Sequence, residues 1–503
     1  MKILLNLLLL STPFIGLTQQ YIFGDFQSRY LLAKKIYFDS NAHSIAKPYL
    51  VSFNEDTITQ KGIWKYGSSM EDSKVKIFPL IGGGVKNDLT SYEYGNYFMA
   101  GVQLNGKLGD KMFAQFRLGY QLGKLSLYEQ EMSYKRPMSP GIGLLQDSLD
   151  FSYSTPLYSG ILSYQASKYF VLSGGIGKHF FGEGYRSLWL SDYAPSYPFV
   201  KMESTFWKVK YINLLSMHND EHMAVYGNKK YAASHLLSFN ITNSLNLSVF
   251  ETVVWQGKDT LNNRGFDVNY LNPFVFFRPV EYGIGSSDNS FLGAGLKFTW
   301  GDHYVGYCKV LFDEFLLSEI RDNQGWWGNK YAFQVGVKTF DVFQIKGLYT
   351  ISEVNRVRPY TYSHVTSQLN YGHANHSLAH PLEANFIEYL LLIGFQRENF
   401  DISLKHLFQK YGKDYQSYNF GGNIFNSYTD RNGDYGHKVG QGDLVEQHLW
   451  ELRLSWLLGS LTNTKIFTQF NYNFSEFLNS PVQERLLFQF GISSNLWQSY
   501  MDY

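Results

Sequence analysis

The chain has 503 residues, with 44 Lys and Arg against 43 Asp and Glu, a single cysteine, 40 Phe, 39 Tyr and 10 Trp. Aromatics at 18% are roughly twice an ordinary soluble level and charged residues at 17% fall short of the usual quarter, which excludes an average cytosolic enzyme. Net charge near zero leaves no electrostatic footprint for a nucleic acid, and the lone Cys308 excludes disulfide scaffolds, thiolate clusters and dithiol relays.

Lys2 precedes an apolar run, Ile3 to Leu10, and Gly16-Leu17-Thr18 places small residues ahead of Gln19. This is the layout of an export signal cut after Thr18, and the run is shorter than the ~20 apolar residues of a spanning helix. Residues 1–18 are therefore read as a signal peptide, whose loss removes Lys2 and leaves a formally neutral chain. The best apolar run farther along, Tyr389 to Phe395, is too short to span as a helix. Residues 19–75 lack clean alternation. Within them Gln27 to Tyr37, carrying Leu31, Leu32, Lys34 and Lys35, reads as helix in a periplasmic or plug segment.

From residue 76 to 503 the pattern has a period of two. Ile77 to Val85 and Phe98 to Leu104 form an opening hairpin, in which Pro79 suits an edge or a strand start better than a ladder centre. Met112, Ala114, Phe116, Leu118, Tyr120 and Leu122 then alternate with Gln115, Arg117, Gly119 and Gln121. The pattern returns at Leu292 to Trp300, at Trp450 to Trp456 with Glu451, Arg453 and Ser455 interleaved, and at Leu486 to Ile492. Polar or glycine breaks at 105–111, 166–168, 242–244, 301–303, 341, 397–399 and 459–463 read as hairpin turns.

Between these tight turns lie long segments: 123–157, 179–204, 256–290, 313–330, 352–386 and 409–447. Keeping every short connection on one end is the habit of a bacterial outer-membrane barrel, with short periplasmic turns and long external loops. Aromatics then belong at the two interfacial girdles, and closure is required because an open edge in lipid leaves backbone groups without partners. The expected fold is all-β: a transmembrane antiparallel barrel of roughly 16–18 strands behind a small, partly helical N-terminal segment. Strand parity fails near 205–235, where Thr205, Trp207, Val209 and Tyr211 alternate with Phe206, Lys208 and Lys210 as though in one strand. A secreted soluble β-helix or propeller would need self-similarity at a fixed period, and none is visible.

Motifs for chemistry are sparse. Asp430, Asn432 and Asp434 are spaced like calcium ligands, but Tyr435 stands at the turn glycine and Gln441 at the bidentate glutamate, so a glycine-rich surface loop is the better reading. His373, His376 and His380 have zinc-like spacing, yet Asn370, Gly372, Asn375 and Pro381 make the segment a loop where histidines serve hydrogen bonding. No nucleophile elbow and no phosphate loop occurs. No catalytic residue, metal or cofactor is expected. The charged residues Asp313, Glu314, Arg356 and Arg358 suit pairing between loops, and the Trp326-Trp327 pair beside Gly325, Gly328 and Asn329 suits either sugar stacking or loop packing.

Several strings carry a resemblance: Gly182-Glu183-Gly184-Tyr185-Arg186-Ser187-Leu188, Asp267-Val268-Asn269-Tyr270-Leu271-Asn272-Pro273 with Arg278-Pro279-Val280-Glu281, and Asp313-Glu314-Phe315 with Gly325 to Lys330. So do Arg358-Pro359-Tyr360-Thr361-Tyr362, Asn370-Tyr371-Gly372-His373 and Leu378-Ala379-His380-Pro381. Together they resemble the Wzi-like capsule-assembly family of outer-membrane barrels, and within it the RemB-like gliding-motility proteins of Bacteroidetes. The resemblance runs from about Lys47-Pro48-Tyr49 to the last strand. It implies a monomeric barrel, 18-stranded in Wzi, that performs no reaction and handles surface polysaccharide or gliding and adhesion components.

The function expected is therefore a non-enzymatic barrel in outer-membrane lipid whose external loops bind a surface glycan or gliding and secretion proteins. Trp326 and Trp327 are the expected stacking platforms, and Arg278, Glu281, Asp313, Glu314, Arg356 and Arg358 the expected polar network at the ligand. A diffusion porin is the alternative, with Arg117, Lys208, Lys210 and Arg453 lining the lumen. A barrel-borne hydrolase ranks last.

Overall fold

The computed structural model describes residues 19–22, 34–52, 64–67, 74–126, 129–130, 138–139, 143–144, 152–219, 229–258, 265–272, 288–415, 418–459 and 464–494. The expected signal segment and the site candidates Arg278 and Glu281 lie outside them, as does most of the segment 27–37 expected to be helical. Its end, 34–37, forms one helical turn.

Antiparallel strands form a closed barrel of 18. They are β1 (Lys74–Asp88), β2 (Glu93–Leu108), β3 (Met112–Lys124), β4 (Ser152–Gln165), β5 (Phe170–Gly177), β6 (Tyr197–Phe206), β7 (Val209–Asn219), β8 (Lys229–Asn240) and β9 (Leu245–Gln256). The second half comprises β10 (Asn289–Trp300), β11 (Tyr304–Phe312), β12 (Tyr331–Phe340), β13 (Leu348–Val357), β14 (Phe386–Arg397), β15 (Phe400–Lys413), β16 (Asp443–Gly459), β17 (Thr464–Phe477) and β18 (Gln483–Ser493). Each strand pairs with its sequence neighbours, and β18 returns to β1 with Gly491 opposite Gly84.

Burial is inverted relative to a soluble protein. On β3, Phe116, Leu118, Tyr120 and Leu122 are 44–55% exposed while Gln115, Arg117 and Gln121 are 4–7% exposed. On β10, Leu296, Phe298 and Trp300 face out while Lys297 and Thr299 are buried, and on β16 Trp450 and Trp456 face out while Ser455 is buried. Because successive strand residues point to opposite faces, these strands offer an apolar outside and a polar inside. Only a hydrocarbon surround makes the outer face favourable, so the fold is a transmembrane barrel. No helix among the described residues is long and apolar enough to cross a membrane, which says nothing against strands doing so.

The connections segregate by length. One end carries 109–111, 166–169, 207–208, 241–244, 301–303, 341–347, 398–399 and 460–463. The other carries 125–151, 178–196, 220–228, 257–288, 313–330, 358–385 and 414–442, with only 89–92 and 478–482 short. The long-loop end is the external face.

The parity failure near 205–235 resolves as a misplaced boundary. Trp207 and Lys208 are the whole of a two-residue turn, Phe206 pairs with Val209, and Trp207 has φ 52°. The apparent single strand is the corner of a hairpin, and β6 occupies what the sequence pattern gave to the loop 179–204. Lys208 accordingly sits at the turn, donating to the Ile241 carbonyl, and does not line the lumen.

Pro79 lies within β1, opposite Val102. The short strand Trp64–Gly67 pairs with Lys74–Ile77, and β18 pairs from Gly82 onward, so residues 78–81 fall between two partners. Ile81 N–H turns to the Ser494 Oγ on that side, and Pro79, two residues earlier, has its missing N–H on the same side. The ladder therefore loses no bond.

The lumen beside β6 to β15 is packed. Residues 34–47 touch inward-facing side chains: Lys338 Nζ donates to the Tyr37 hydroxyl at 2.8 Å, Lys297 Nζ to the Ser44 Oγ at 2.8 Å, and His43 Nδ1 meets the Ser238 Oγ at 2.9 Å. Ala46 and Lys47 pair with Phe181 and Phe180 of the loop 178–196. The largest apolar cluster forms here inside the barrel, joining Leu188, Trp189 and Leu190 to Phe250, Phe291, Tyr362, Tyr371 and Phe425.

Candidate functional site

The loop 178–196 dives inward because its sequence removes the obstacles. Gly184 has no Cβ; one there would sit 2.3 Å from Glu353 Oε2. That close approach lets the Tyr185 N–H reach Glu353 Oε2 at 2.9 Å and the Arg186 N–H reach Glu353 Oε1 at 3.1 Å. The Tyr307 hydroxyl supplies a further bond to Oε2 at 2.7 Å. Trp189 stacks on Phe250 with centroids 5.3 Å apart and donates from Nε1 to the Val310 carbonyl at 3.0 Å, above Gly293 and Gly295, where a Cβ would collide with its ring.

Arg186 carries the loop's charge into the wall. Its Nε lies 3.3 Å from Glu388 Oε1, both side chains being almost wholly buried. Glu388 also receives Gln409 Nε2 at 2.8 Å, Asn355 Nδ2 at 3.2 Å and His380 Nε2 at 2.9 Å. The His380 bond joins the second inserted loop, 358–385, to the same carboxylate. A buried charge is tolerable only with this degree of hydrogen bonding, so the network fixes both loops inside the barrel.

Above it, three loops form a crown. Asp313 and Lys330 close the neck of 313–330 by backbone bonds, and Lys330 Nζ lies 3.1 Å from Asp313 Oδ1 and 3.5 Å from Glu314 Oε1. Asp313 Oδ2 accepts the Tyr362 N–H at 2.9 Å, fastening this neck to 358–385. Burial pushes the Asp313 carboxyl up to about 7 against the attraction of Lys330. The tip of the loop, a short helix α1 (Leu317–Asp322) followed by Gly325, is strung along 434–437: Gly436 N–H to Gln324 O, His437 N–H to Gly325 O, and Trp327 N–H to Asp434 O, each at 2.9 Å. Gly325 has φ 71°, and a Cβ there would meet the His437 backbone at 2.9 Å. Arg358 Nη2 donates to the Trp326 carbonyl at 3.1 Å and to the His437 carbonyl at 3.5 Å, binding the three loops at one point.

The two tryptophans differ. Arg431 lies 4.1 Å above the Trp327 ring and is itself held by Asp434 at 2.7 Å, while Tyr428 packs on Trp327 at 4.7 Å and Tyr360 meets it edge-on at 6.4 Å. Trp327 is thus built into the crown. Trp326 rests over Gly328, and among the described residues its only ring partner is Trp327, at 5.9 Å. It is half-buried, and the exposed Tyr435 on the adjoining strand of loop donates its hydroxyl to Glu319 at 3.4 Å.

Of the residues singled out in the sequence, the structure gathers Asp313, Glu314, Trp326, Trp327 and Arg358. Arg356 is apart: it projects from the outward face of β13 and covers the Phe333 ring at 5.8 Å. The Arg186, Glu353 and Glu388 network was not among the expected residues; its only signal was the glycine-flanked string 182–188. His373 accepts the Asn219 N–H at 3.0 Å, His376 Nδ1 meets the Ala374 carbonyl at 2.6 Å, and His380 faces Glu388. The three histidines thus have three separate partners, and among the described residues no group of three or more His, Cys, Asp or Glu side chains is placed to hold a metal ion. In the Asp430–Asp434 stretch, Asp434 serves Arg431.

Closed strands, an apolar outer belt and one-sided long loops define an outer-membrane β-barrel. No protein-family model and no curated protein matches this sequence. Among solved structures the chain is similar to Wzi of Escherichia coli, described as an outer-membrane, carbohydrate-binding β-barrel involved in group 1 capsule assembly. The identity is 14%, the coverage 95% of this chain and 100% of that one, and the TM-score 0.56. It is also similar to OccK8 (OprE) of Pseudomonas aeruginosa, at 11% identity, 85% and 99% coverage and TM-score 0.47. OccAB4 of Acinetobacter baumannii follows at 9% identity, 84% and 97% coverage and TM-score 0.45.

Proposed function

We propose that this chain is a non-enzymatic outer-membrane barrel that holds surface polysaccharide on its loop crown. The observation that carries the reading is the half-buried Trp326 on a loop whose backbone runs along 434–437, the segment that carries the exposed Tyr435 bonded to Glu319, with Arg358 tying the loops together. An aromatic face next to fixed carboxylates and hydroxyls is chemistry suited to sugar rings: stacking for the apolar face, hydrogen bonds for the hydroxyls. Asp313, Glu314 and Arg358 position the crown, Trp327 supports Trp326 from behind, and Arg278 and Glu281 remain candidate contacts on the loop 257–288. The carbohydrate binding stated for the structurally similar Wzi supports the same reading. Gliding or secretion proteins as partners, and a RemB-like role, rest on the loop strings alone.

The test is polysaccharide retention on cells. Trp326→Ala combined with Tyr435→Ala should lower retention about tenfold while heat-modifiable gel mobility stays unchanged. Undiminished retention with a folded barrel removes the reading.

The porin alternative draws on the wall opposite the inserted loops. Gln103, Gln115, Arg117, Gln469 and Asn471 face inward there, with Arg117 Nε bonded to Gln103 Oε1 at 2.8 Å. Single-channel conductance of the wild type in planar bilayers at the level of an open pore would favour it.

A further inference from the structure

The seam where β18 meets β1 is thin. Gly82, Gly83 and Gly84 follow one another on β1, and Gly491 faces Gly84 across the closure. Alternation on β1 turns Ile81, Gly83 and Val85 outward, so the one outward residue without a side chain, Gly83, lies between two apolar neighbours. The result is a groove of about 570 Å³ on the lipid-facing side, lined by Val85, Phe98, Leu122, Ile466, Phe490 and Ile492 around that glycine.

The groove has a polar lid at its long-loop end. Phe98 pairs with Leu122, and the next outward pair toward the long-loop end is Asn96 with Lys124. Lys124 Nζ sits 5.8 Å over the outward-facing Tyr94 ring and has no carboxylate partner among the described residues. Glu93, beside Tyr94, is turned to the other face by the same alternation. An apolar trough in the hydrocarbon zone, capped at the external interface by a cation, an amide and a tyrosine, matches an anionic lipid lying along the barrel.

We propose that the groove at the β18–β1 seam seats an acyl chain of a phosphorylated glycolipid of the outer leaflet, the class of lipid A, with Lys124 against its phosphate. The acyl chain fills the trough by van der Waals packing, since within the bilayer there is no hydrophobic gain, and the lysine supplies headgroup selection. The site is independent of what the crown binds.

Full-length barrel in detergent is incubated with diphosphoryl lipid A or with phosphatidylethanolamine, and retained lipid is read by native mass spectrometry. Wild type should keep one lipid A per chain and little phosphatidylethanolamine. Gly83→Leu fills the trough; a Cβ there would lie 3.4 Å from the Tyr97 carbonyl oxygen and 3.7 Å from Phe98 Cδ2, ordinary packing that leaves the wall undisturbed. Gly83→Leu and Lys124→Ala should each reduce lipid A retention about fivefold with gel mobility unchanged. Undiminished retention in Lys124→Ala, equal retention of the two lipids, or paired barrels covering an empty groove would overturn the proposal, and Lys124→Ala decides should Gly83→Leu fail to assemble.

Discussion

Arg186, from a loop that enters the barrel, places its guanidinium Nε 3.3 Å from the Glu388 carboxylate on the wall strand β14. Both are cut off from water, so removing the arginine leaves a charge with nowhere to go. Breaking a buried pair from one side costs about 3–5 kcal/mol. Arg186→Ala should leave the barrel closed, since the wall ladders are untouched, while freeing the loop 178–196. Limited chymotrypsin digestion should then cut within that loop, at Phe180, Phe181, Tyr185, Trp189 or Tyr193, and planar-bilayer conductance should rise above wild type. Resistance equal to wild type at unchanged conductance would mean that the pair does not hold the loop.

Gly184 provides a sharper version. A methyl group there would stand 2.3 Å from Glu353 Oε2 and 2.6 Å from the Arg186 carbonyl oxygen. Neither is the loose end of a surface side chain, because Glu353 is bonded by four donors. Gly184→Ala should cost about 1–3 kcal/mol in urea unfolding, the range for overpacking. It should reproduce the loop release of Arg186→Ala without removing any charge.

The barrel was legible because lipid enforces a period of two. Leu118 beside Arg117 is readable from sequence alone, and so is a turn such as 301–303, where Gly301 with φ 54° and Asp302 interrupt two alternating runs. Trp207 was misleading because a bulky aromatic at an interfacial girdle keeps the alternation going through the turn itself, so apolar pattern and backbone direction part company there. The site was half legible. Asp313, Trp326 and Arg358 announced themselves as charge and aromatic strings in long loops. Which tryptophan is packed by a cation depends on Arg431, more than a hundred residues away, and the Glu388 network depends on strand neighbours that pattern reading does not pair. Arg356 shows the limit: two residues before Arg358 it lies on the outward face of β13, whereas the chain after Val357 leaves the ladder and Arg358 turns into the crown.

The crown should loosen in acid. Burial, with the neighbouring His376 and Lys230 adding to it, lowers the His373 pKa to about 3, and burial beside Lys330 lowers His364 to about 4. The unfolded loop would bind protons near the ordinary histidine value of about 6.5, so between that pH and the folded values the unfolded form binds more protons. Stability is therefore complete above about pH 6.5 and falls as pH drops, by about 1.4 kcal/mol per unit for each histidine. Burial pushing the Asp313 carboxyl up has the opposite sign, since its proton is favoured by folding, but it is one group against several. Protease cleavage within 358–385 should increase between about pH 7.5 and about pH 5, and His373→Gln with His364→Gln should flatten that profile.

Leu118 and Arg117 are consecutive on β3, the first 55% exposed and the second 4%. In water the exposed leucine would be the replaceable one. In a bilayer the order reverses: an arginine on the lipid face near the midplane costs about 2–4 kcal/mol, falling toward the interfaces. Leu118 pairs with Val102 on one side and Tyr158 on the other, well inside the strand, so the full penalty applies. Leu118→Arg should therefore lower the urea stability of the barrel in phospholipid vesicles by about that amount. Arg117→Gln, which keeps a donor near the Gln103 carbonyl oxygen in the lumen, should cost about 1 kcal/mol or less. Leu118→Arg without effect in vesicles would mean that this face of β3 meets water, and the inside-out arrangement on which the membrane assignment stands would be wrong.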